Sequence, residues 1–409
     1  MTGTGEGVPF RVLVERVSQP GGFHSKETQN AQKAQKDAEN SKGCCLSSAS
    51  FCDLLRVLRL LAFAASGLTL VLACTSSAGT PGDTTSSGAA ASLAGATLRT
   101  IRSRGAVKCG ISQAAGFATP NDAGHWQGFD VDFCKALAVA VFGDTSKVEF
   151  VPYTQSQRFS GLQSGEVDVL VNGTSLTSSR ALLRGFHFGP VYLYDGQAFL
   201  VPKSLNVSKA SALDGATVCV QQGTTTELNL TDFARRNGIK FRPVVIEDHR
   251  GAVAALAAGR CDVITQDGAG LATTRTMLRN PNDFVVLPDR ISKEPIAPVL
   301  RYGDDQWLEL VSWVFRAPVQ AEELGITRAN VASLESSTDP SIRRFLGLEA
   351  GVADAFGLDA RWTSRVIASV GNYAEIFDRN LGPSTPLAMT RGLNALWTDG
   401  GLMYAPPFR

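Results

Sequence analysis

The first part of the chain, residues 1–55, shows no regular spacing of hydrophobic and polar positions. Stretches such as Gln29–Asn40 are crowded with Gln, Lys and Asn, and neither a helical nor a strand period would bury one face of them. Polar, irregular sequence of this kind does not build a hydrophobic core. It predicts a disordered leader, or a start assigned too far upstream of a natural product that begins near Arg56.

A short apolar segment follows the leader. Leu60–Ala73 carries no charge, is preceded by a basic stretch that begins at Arg56, and ends directly before Cys74. A basic flank, a short apolar core and a small residue before cysteine are typical of a bacterial lipoprotein signal peptide, which we predict over residues 56–74 with Cys74 lipidated. A membrane span would need about 20 residues.

A buried core helix is the alternative for this apolar segment. The residues that follow weigh against it, because 75–95 consists mainly of Ser, Thr, Gly and Ala and is expected to form a flexible linker. A tether is expected after a lipidated cysteine, whereas a core helix does not call for one.

From residue 96 onward, short runs of β-branched residues alternate with amphipathic segments, which is typical of α/β layers over a mostly parallel sheet. Val107–Ile111 is predicted to be the first strand. Phe129–Phe142 is predicted to be a helix, because its large apolar residues recur at i, i+4 spacing on one face. The next predicted elements are strands at Val148–Val151 and Val167–Val171 and helices at Ser156–Ser164 and from Ser178 onward.

A second series of the same kind occupies residues 201–300. Two extended segments, Val191–Pro202 and Ile296–Tyr302, lead into it and out of it. The pattern predicts an α/β fold of two lobes joined by two extended hinge segments, with residues 96–200 and the largely helical 301–409 in the first lobe. Because open α/β sheets bind ligands at the carboxyl ends of their strands, we expect a ligand cleft between the lobes. The strands predicted for the second lobe are Thr217–Val220, Phe241–Ile246, Asp262–Thr265 and Phe284–Leu287.

Charge and composition exclude several classes of function. The formal net charge is +1, with 39 basic and 38 acidic residues, so the chain has no overall attraction to nucleic acid or to an anionic membrane surface. It has 4 His and no Cys-x-x-Cys pair, so we expect no metal and no cofactor. It contains no Gly-x-x-x-x-Gly-Lys-Ser/Thr motif, so any ATP would be used by a separate subunit.

Five stretches, in this order along the chain, carry a resemblance to a known family. With them, residues 97–409 resemble the periplasmic amino-acid-binding proteins of ABC importers, and among these the general L-amino-acid-binding subgroup. The resemblance implies a periplasmic-binding-protein type II fold, an extracytoplasmic location, an L-amino acid as ligand and a membrane permease as partner; we expect a monomer. The stretches are Gly128–Cys134, Arg158–Val169, Val218–Glu227, Gly259–Val263 and Arg391–Pro407.

A receptor for a free amino acid needs a cation and amide donors for the ligand carboxylate, and a carboxylate for the ligand ammonium. The resemblance places Arg180 on the ligand carboxylate, where its guanidinium can donate two parallel hydrogen bonds. Thr224 and Thr225 directly precede a predicted helix, whose positive end is a natural anion site. Asp267 ends a predicted strand at the edge of the cleft and can accept from the ammonium.

Two loops complete the predicted site. Gly173 supplies a carbonyl and Ser175 a hydroxyl, and Phe117 covers the apolar part of the ligand. Ordinary structural roles are the alternatives: a surface ion pair for Arg180, a turn for Asp267, helix capping for the two threonines and packing on its own lobe for the phenylalanine.

The loop Asn172–Leu176 departs from the subgroup, which usually has an Arg-Asn-Thr-Thr-Trp-like stretch there and an acidic residue at the position of Ala181. The loop has thus lost a large aromatic residue and a charge. We carry over the site for the amino-acid headgroup and not the breadth of the ligand range.

Arg158 follows the strand Val148–Val151 and opens a short helix, so we predict that its guanidinium reaches the ligand pocket. In family members that bind glutamate or aspartate, an arginine at a similar position reaches the distal carboxylate. The resemblance therefore favours a dicarboxylic amino acid, or its amide, as ligand. The alternative is a structural ion pair of Arg158 with Glu166 or Asp168.

Four cysteines lie in the predicted globular part. The two-lobe plan puts Cys109 and Cys134 in one lobe and Cys219 and Cys261 in the other, and a bridge between lobes would block the hinge. Export to an oxidising compartment favours pairing. We therefore predict the disulfides Cys109–Cys134 and Cys219–Cys261, with free buried thiols as the alternative.

Two other classes of function remain as alternatives. An enzyme on the same fold, such as a dehydratase, would need a positioned acid or base in the cleft, and the sequence shows no Ser-His-Asp constellation. A ligand-sensing domain would need a transmembrane or kinase region after the fold, and the chain ends at Arg409. The sequence favours a binding protein that performs no chemistry.

Overall fold

The computed structural model describes residues 95–349 and 353–409. The leader predicted over 1–55, the lipoprotein signal predicted over 56–74 with Cys74, and the linker up to residue 94 lie outside the described residues. Within the described ranges, no helix is both long enough and apolar enough to cross a membrane.

Short strands and helices alternate through most of the chain. The strands are β1 (Val107–Ile111), β2 (Thr119–Pro120), β3 (Trp126–Gln127), β4 (Val148–Pro152), β5 (Val169–Leu170), β6 (Phe186–Phe188), β7 (Leu193–Asp195), β8 (Gln197–Pro202), β9 (Thr217–Gln221), β10 (Arg242–Ile246), β11 (Val263–Asp267), β12 (Phe284–Val286), β13 (Glu294–Ile296) and β14 (Val299–Arg301). The α-helices are α1 (Ala96–Arg104), α2 (Phe129–Phe142), α3 (Arg158–Gln163), α4 (Thr225–Asn237), α5 (His249–Ala257), α6 (Gly268–Thr276), α7 (Asp305–Glu323), α8 (Pro340–Phe345), α9 (Ala353–Phe356), α10 (Trp362–Val370) and α11 (Tyr373–Asn380). A π-helical turn covers Ser179–Leu183, and 3-10 turns cover Lys203–Leu205, Ala210–Ala212, Pro281–Asp283, Ser333–Ser336, Gly392–Asn394 and Trp397–Asp399.

The first lobe is built around a five-stranded sheet with the strand order β4-β1-β5-β14-β6. β1 is parallel to its neighbours β4 and β5, and β14 runs antiparallel between β5 and β6. Val107, Cys109 and Ile111 of β1 are fully buried, as expected of a central strand covered on both faces. Gly128 precedes α2 with a φ of 135°, and a Cβ there would collide with the carbonyl of Phe117. Glycine therefore lets the Phe117 loop pack against the start of α2.

The second lobe has a five-stranded sheet of the same plan, with the strand order β10-β9-β11-β8-β12. β9 is parallel to β10 and β11, while β8 is antiparallel to β11 and β12. In both sheets the fourth strand is the one that the chain forms directly after it crosses from the other lobe, β8 here and β14 in the first lobe. The predicted fold of two similar α/β lobes is confirmed.

The two crossings pair with each other as a short antiparallel ribbon of β7 and β13, in which Asp195 lies opposite Glu294. The lobe boundaries differ from those predicted at 200/201 and 300/301, because β8 already belongs to the second sheet and β14 to the first. From the sequence, both strands were predicted to be parts of the extended hinge segments between the lobes. A buried antiparallel strand and an extended crossing have the same β-branched and aromatic pattern, so periodicity does not distinguish them.

The helices after β14 complete the first lobe. α7 packs against α2 and α10, and the rings of Phe133 and Phe315 stack with centroids 4.7 Å apart. Trp307 is 2% exposed, and its Nε1 donates to the carbonyl of Asp168 at 3.1 Å. Residues 301–409 therefore enlarge the core on which the first cleft wall rests.

Both predicted disulfides are present in the structure. Cys109 of β1 pairs with Cys134 of α2, with 6.1 Å between the Cα atoms, and Cys219 of β9 pairs with Cys261 at 5.6 Å. Both separations lie in the usual range of about 4.4–6.8 Å. Each bridge stays within one lobe, so neither restricts the hinge.

Candidate ligand-binding site

One cleft between the lobes gathers all eight residues that the sequence predicted as ligand contacts. Several lie at the carboxyl ends of parallel strands: Arg158 follows β4, Gly173 follows β5 and Asp267 ends β11. This is the edge at which open α/β sheets bind ligands. The eight residues are Phe117, Arg158, Gly173, Ser175, Arg180, Thr224, Thr225 and Asp267.

Arg180 lies on the π-helical turn of the first lobe and is 7% exposed, so it is not a surface ion pair. Its Nη1 donates to the carbonyl of Ser175 at 2.8 Å. A guanidinium has five N–H donors, so four remain for other acceptors. Burial lowers the pKa of Arg180, while the carboxylates of Glu294 and Asp267 raise it. A buried cation with open donors is well suited to bind a carboxylate.

Arg158 is 1% exposed and forms hydrogen bonds to both lobes. Its Nε donates to Thr174 Oγ1 at 3.0 Å, and its Nη1 donates to the carbonyl of Gln155. Its Nη2 crosses the cleft to the carbonyl of Gly223 in the second lobe, at 3.3 Å. Two of the five N–H donors remain open, so Arg158 has both a structural role and spare donor capacity.

The predicted alternative for Arg158, an ion pair with Glu166 or Asp168, is not the arrangement in the structure. Asp168 pairs instead with Arg104 and accepts from the backbone N–H of Lys108 at 2.7 Å. The positive charge of Arg158 is therefore not neutralised by either carboxylate of its own lobe.

Three guanidinium groups surround the ring of Phe159 in the first lobe. The Cζ atoms of Arg158, Arg180 and Arg184 lie 4.5, 5.5 and 5.3 Å from the ring centre. Distances below about 6 Å allow a cation–π attraction. Burial lowers the pKa of Arg158, and the neighbouring Arg180 and Arg184 lower it further. An anionic ligand group would relieve this concentration of positive charge.

Asp267 faces these cations from the second lobe. Its Oδ1 is buried and has no hydrogen-bond partner among the described residues. Burial raises the pKa of Asp267 well above its usual value, and the carboxylates of Glu294 and Asp195 raise it further, while Arg180 and Arg158 lower it. A ligand ammonium at Oδ1 would supply the missing hydrogen-bond partner and a further positive charge.

The amino end of α4 also points into the cleft. Neither Thr224 nor another side chain caps this helix; the Thr224 hydroxyl donates to the carbonyl of Gln221 at 2.6 Å and the Thr225 hydroxyl to Glu294 at 2.8 Å. The predicted alternative of helix capping is thus not what these hydroxyls do. The first-turn N–H groups of the helix remain available, and the helix dipole favours an anion there.

The remaining predicted residues close the cleft on the first-lobe side. Gly173 has a φ of 67° in the loop after β5, a conformation that glycine adopts readily. Ser175 is 2% exposed and bridges to Ile296 of the hinge ribbon. Phe117 is 8% exposed, lines the cleft and also packs edge-on against Phe129 at 6.1 Å. It therefore combines the predicted ligand-facing position with packing on its own lobe.

Among the residues that the structure describes, two hydrogen bonds join the lobes directly across the cleft. Besides the contact from Arg158 to Gly223, Thr273 Oγ1 of α6 donates to the carbonyl of Ala115 at 2.9 Å. Each contact joins a helix side chain of one lobe to a loop carbonyl of the other, and both lie at the ligand cleft. The structure is therefore the closed form of a hinged pair of lobes.

Comparisons with known proteins agree with this geometry. Residues 107–276 match the family model described as bacterial extracellular solute-binding proteins, family 3. The chain is 50% identical over 323 residues to the general L-amino acid-binding periplasmic protein AapJ of Rhizobium johnstonii, a match that covers 78% of this chain and 95% of AapJ. The chain belongs to family 3 of the bacterial extracellular solute-binding proteins.

Other family 3 relatives match over a similar extent. The glutamate/glutamine/aspartate/asparagine-binding protein BztA of Rhodobacter capsulatus is 51% identical over 326 residues, which cover 78% of this chain and 96% of BztA. A solved ABC transporter periplasmic binding protein of Brucella ovis with glutathione bound is 46% identical, with a TM-score of 0.75 over 76% of this chain and 99% of that chain. This family 3 protein is therefore an extracytoplasmic solute-binding protein and not an enzyme.

Sequence reasoning missed several polar residues of this family 3 cleft. Asn172 and Gln266 each have a buried side-chain nitrogen without a partner in the described structure, and Gln155, Gln221 and His249 line the cleft beside them. All five follow or end strands of the two sheets, so the rule that ligands bind at carboxyl ends of strands could have found them. Among the described residues, no three His, Cys, Asp or Glu side chains are arranged to hold a metal ion.

Proposed function

We propose that this protein binds free L-amino acids in its cleft and delivers them to the permease of an ABC importer. The proposal rests on the opposite charges of the two cleft walls. Arg180, with four open N–H donors, binds the ligand carboxylate together with the first-turn amides of α4. Asp267, with its unpartnered Oδ1, accepts from the ligand ammonium, and Gly173 and Ser175 complete the polar ring.

The names of the relatives support an amino acid as ligand. AapJ is named for general L-amino acids and BztA for glutamate, glutamine, aspartate and asparagine. The loop Asn172–Leu176 lacks the large aromatic residue usual in the general subgroup, so the breadth of the ligand range is not carried over with the headgroup site.

A calorimetric panel tests the proposal. The purified protein is titrated with each of the common L-amino acids, and the mixtures are examined afterwards for new products. The proposal expects saturable heat of binding with the ligand recovered unchanged. Release of a product would favour the alternative of an enzyme on this fold, and absence of heat with every amino acid would contradict the proposed function.

Within this site, Arg158 gives a preference for dicarboxylic amino acids. Its two open N–H donors and the lack of a carboxylate partner in its own lobe support this role. Arg158→Ala is expected to weaken glutamate or aspartate more than glutamine, by about 1.5–3 kcal/mol for a lost charge-assisted hydrogen bond. The difference between ligands is the measured quantity, because loss of the contact to Gly223 weakens closure for every ligand.

The control for this variant is Arg184→Ala, which removes an exposed guanidinium from the same ring of Phe159. It should change glutamate and glutamine binding by similar, small amounts. Equal losses of glutamate and glutamine on Arg158→Ala would remove the dicarboxylic preference and leave only the general amino-acid site.

Transport follows from closure of the lobes. A ligand that contacts both walls binds the closed form more tightly than the open form, so it shifts the hinge equilibrium towards closure. The permease then recognises the closed surface, and a separate subunit uses the ATP. The protein acts as a monomer with one cleft per chain.

An N-terminal lipid at Cys74 holds the receptor at the membrane. The apolar run Leu60–Ala73 directly before this cysteine and the Ser- and Gly-rich stretch after it support the assignment. Mass spectrometry of membrane-extracted protein decides it, since retention of residues 1–73 on the mature chain would contradict the anchor.

A further inference from the structure

The ligand cleft adjoins a second cavity between the lobes. The residues that line both are Ser112, Ala114, Gln155, Gln221, His249 and Thr273. The second cavity extends beyond them to Arg250 of the second lobe and to Tyr153 and Gln157 of the first. A ligand with its headgroup in the cleft therefore lies beside a second space, which a free amino acid would not need.

Uncharged hydrogen-bonding groups lie where the cleft leads into this space. Gln266 is 4% exposed and lines the cleft, and its Nε2 is buried without a partner in the described structure. Its Oε1 accepts from Thr274 Oγ1 at 2.9 Å. The same Thr274 oxygen lies 2.9 Å from Nδ1 of His249. The three side chains form one hydrogen-bonded chain with an open donor at the Gln266 end.

The hydrogen-bond chain also fixes the tautomer of His249. Thr274 has a single hydroxyl proton, which it donates to Gln266, so its oxygen accepts from Nδ1–H of His249. Burial lowers the pKa of His249, which favours the neutral ring. Nε2 is then an acceptor. An N–H donor on Gln266 and an N acceptor on His249 together match an amide group, which has one carbonyl and one N–H.

A cation lies beyond these two groups. Arg250, in the first turn of α5, lines the second cavity and makes no hydrogen bond or ion pair with any residue that the structure describes. The carboxylate of Asp248, which also lines this cavity, caps α5 by accepting from the N–H of Gly251 at 2.7 Å and forms no ion pair with Arg250 in the described structure. The guanidinium of Arg250 is thus free to bind a carboxylate that enters the second cavity.

We propose that this cleft also binds amino acids extended through an amide to a distal carboxylate, of which γ-glutamyl peptides are the simplest class. The inference rests on the proposed function, because the headgroup of the γ-glutamyl residue occupies the Arg180 and Asp267 site. The amide lies between Gln266 and His249, and the distal carboxylate reaches Arg250.

Calorimetry with three probes tests this inference: L-glutamate, γ-L-glutamylglycine and γ-L-glutamylglycinamide, which lacks the distal carboxylate. The dipeptide is expected to bind the unmodified protein, and its amide to bind about two- to fivefold more weakly, since an exposed ion pair contributes up to about 1 kcal/mol. Arg250→Ala should weaken the dipeptide by the same factor and leave glutamate unchanged. Arg250→Glu should weaken the dipeptide further.

The matched control is Arg236→Ala, which removes an exposed arginine of the same lobe outside both cavities. It should alter none of the three affinities. Binding of glutamate without detectable binding of the dipeptide would overturn the inference and leave the proposed function intact. Equal losses of affinity for the dipeptide and for glutamate on Arg250→Ala would also overturn the inference and leave the proposed function intact. Absence of binding by glutamate and dipeptide alike would overturn both.

Discussion

The two walls of the cleft differ in the sign of their charge and in what supports it. The first-lobe wall holds the guanidinium groups of Arg158 and Arg180, both almost fully buried around one phenylalanine ring. The second-lobe wall presents the carboxylate of Asp267 and the uncapped start of α4. On the first-lobe wall, the arginine side chains donate hydrogen bonds to backbone carbonyls. On the second-lobe wall, a carboxylate oxygen and the N–H groups at the start of a helix have no hydrogen-bond partner among the described residues.

The comparison shows why the cleft suits a zwitterion. Burial lowers the pKa of Arg158 and Arg180 and raises the pKa of Asp267, so each wall holds charge in an environment that disfavours it. Buried charges are stabilised by partners of opposite sign with good hydrogen-bond geometry. A ligand with both charges supplies a partner to each wall at once, and only while the lobes are closed.

Removal of the cation at the headgroup should have the largest effect. Arg180→Ala deletes the group with four open donors, and truncation of a buried, hydrogen-bonded charge partner costs about 2–5 kcal/mol. Every amino acid should therefore bind about 30-fold more weakly or worse, measured by calorimetry. Arg184→Ala, at the exposed edge of the same ring, should lose far less. Comparable losses in the two variants would contradict a specific role for Arg180.

Removal of the negative charge from the opposite wall should have the next largest effect. Asp267→Asn keeps the shape but loses the charge-assisted hydrogen bond to the ammonium, at a cost of about 1.5–3 kcal/mol. Because protonation of Asp267 competes with the ammonium, affinity should fall as the pH drops below its raised pKa, by up to about tenfold per unit.

The asparagine variant is the control for this pH dependence. Arg158 and Arg180 stay charged across the range, so Asp267→Asn should bind weakly with nearly the same affinity from pH 5 to 8. A slope that is unchanged in the variant would assign the titration to another group, such as His249 or Asp195.

The smallest effect on affinity is expected for a variant that weakens closure of the lobes and leaves the charges of the cleft unchanged. Thr273→Val removes the hydrogen bond to the carbonyl of Ala115 across the cleft and nearly preserves volume. A neutral hydrogen bond contributes about 0.5–1.5 kcal/mol, so all amino acids should lose about two- to tenfold in affinity, with no change in their order. A change in the order of ligands would mean that Thr273 contacts the ligand side chain.

The sequence predicted much of the fold because its elements have strong local patterns. Val107–Ile111 and Phe129–Phe142 begin and end in the structure where periodicity placed them. The antiparallel strands β8 and β14 were missed, because their assignment to a sheet depends on neighbours that are distant in sequence. The eight predicted site residues lie in one cleft, and their contact with ligand stays a prediction.

The residues that the sequence missed share one physical property. Gln266 and Asn172 draw attention only because a buried nitrogen on each lacks a partner, and that depends on the surrounding fold. His249 was one of four scattered histidines until the structure placed it at the start of α5, next to Thr274. Residue type alone does not reveal an unsatisfied atom.

The most direct test of the opposite charges on the two cleft walls uses the unmodified protein and one calorimetric series. L-glutamate is compared with glutarate, which lacks the ammonium, and with L-isoglutamine, whose α-carboxylate is replaced by an amide. Each analogue removes the partner of one wall, so each should bind at least about tenfold more weakly than glutamate. Binding of either analogue within about threefold of glutamate would show that the corresponding wall does not recognise the headgroup charge and would contradict the account.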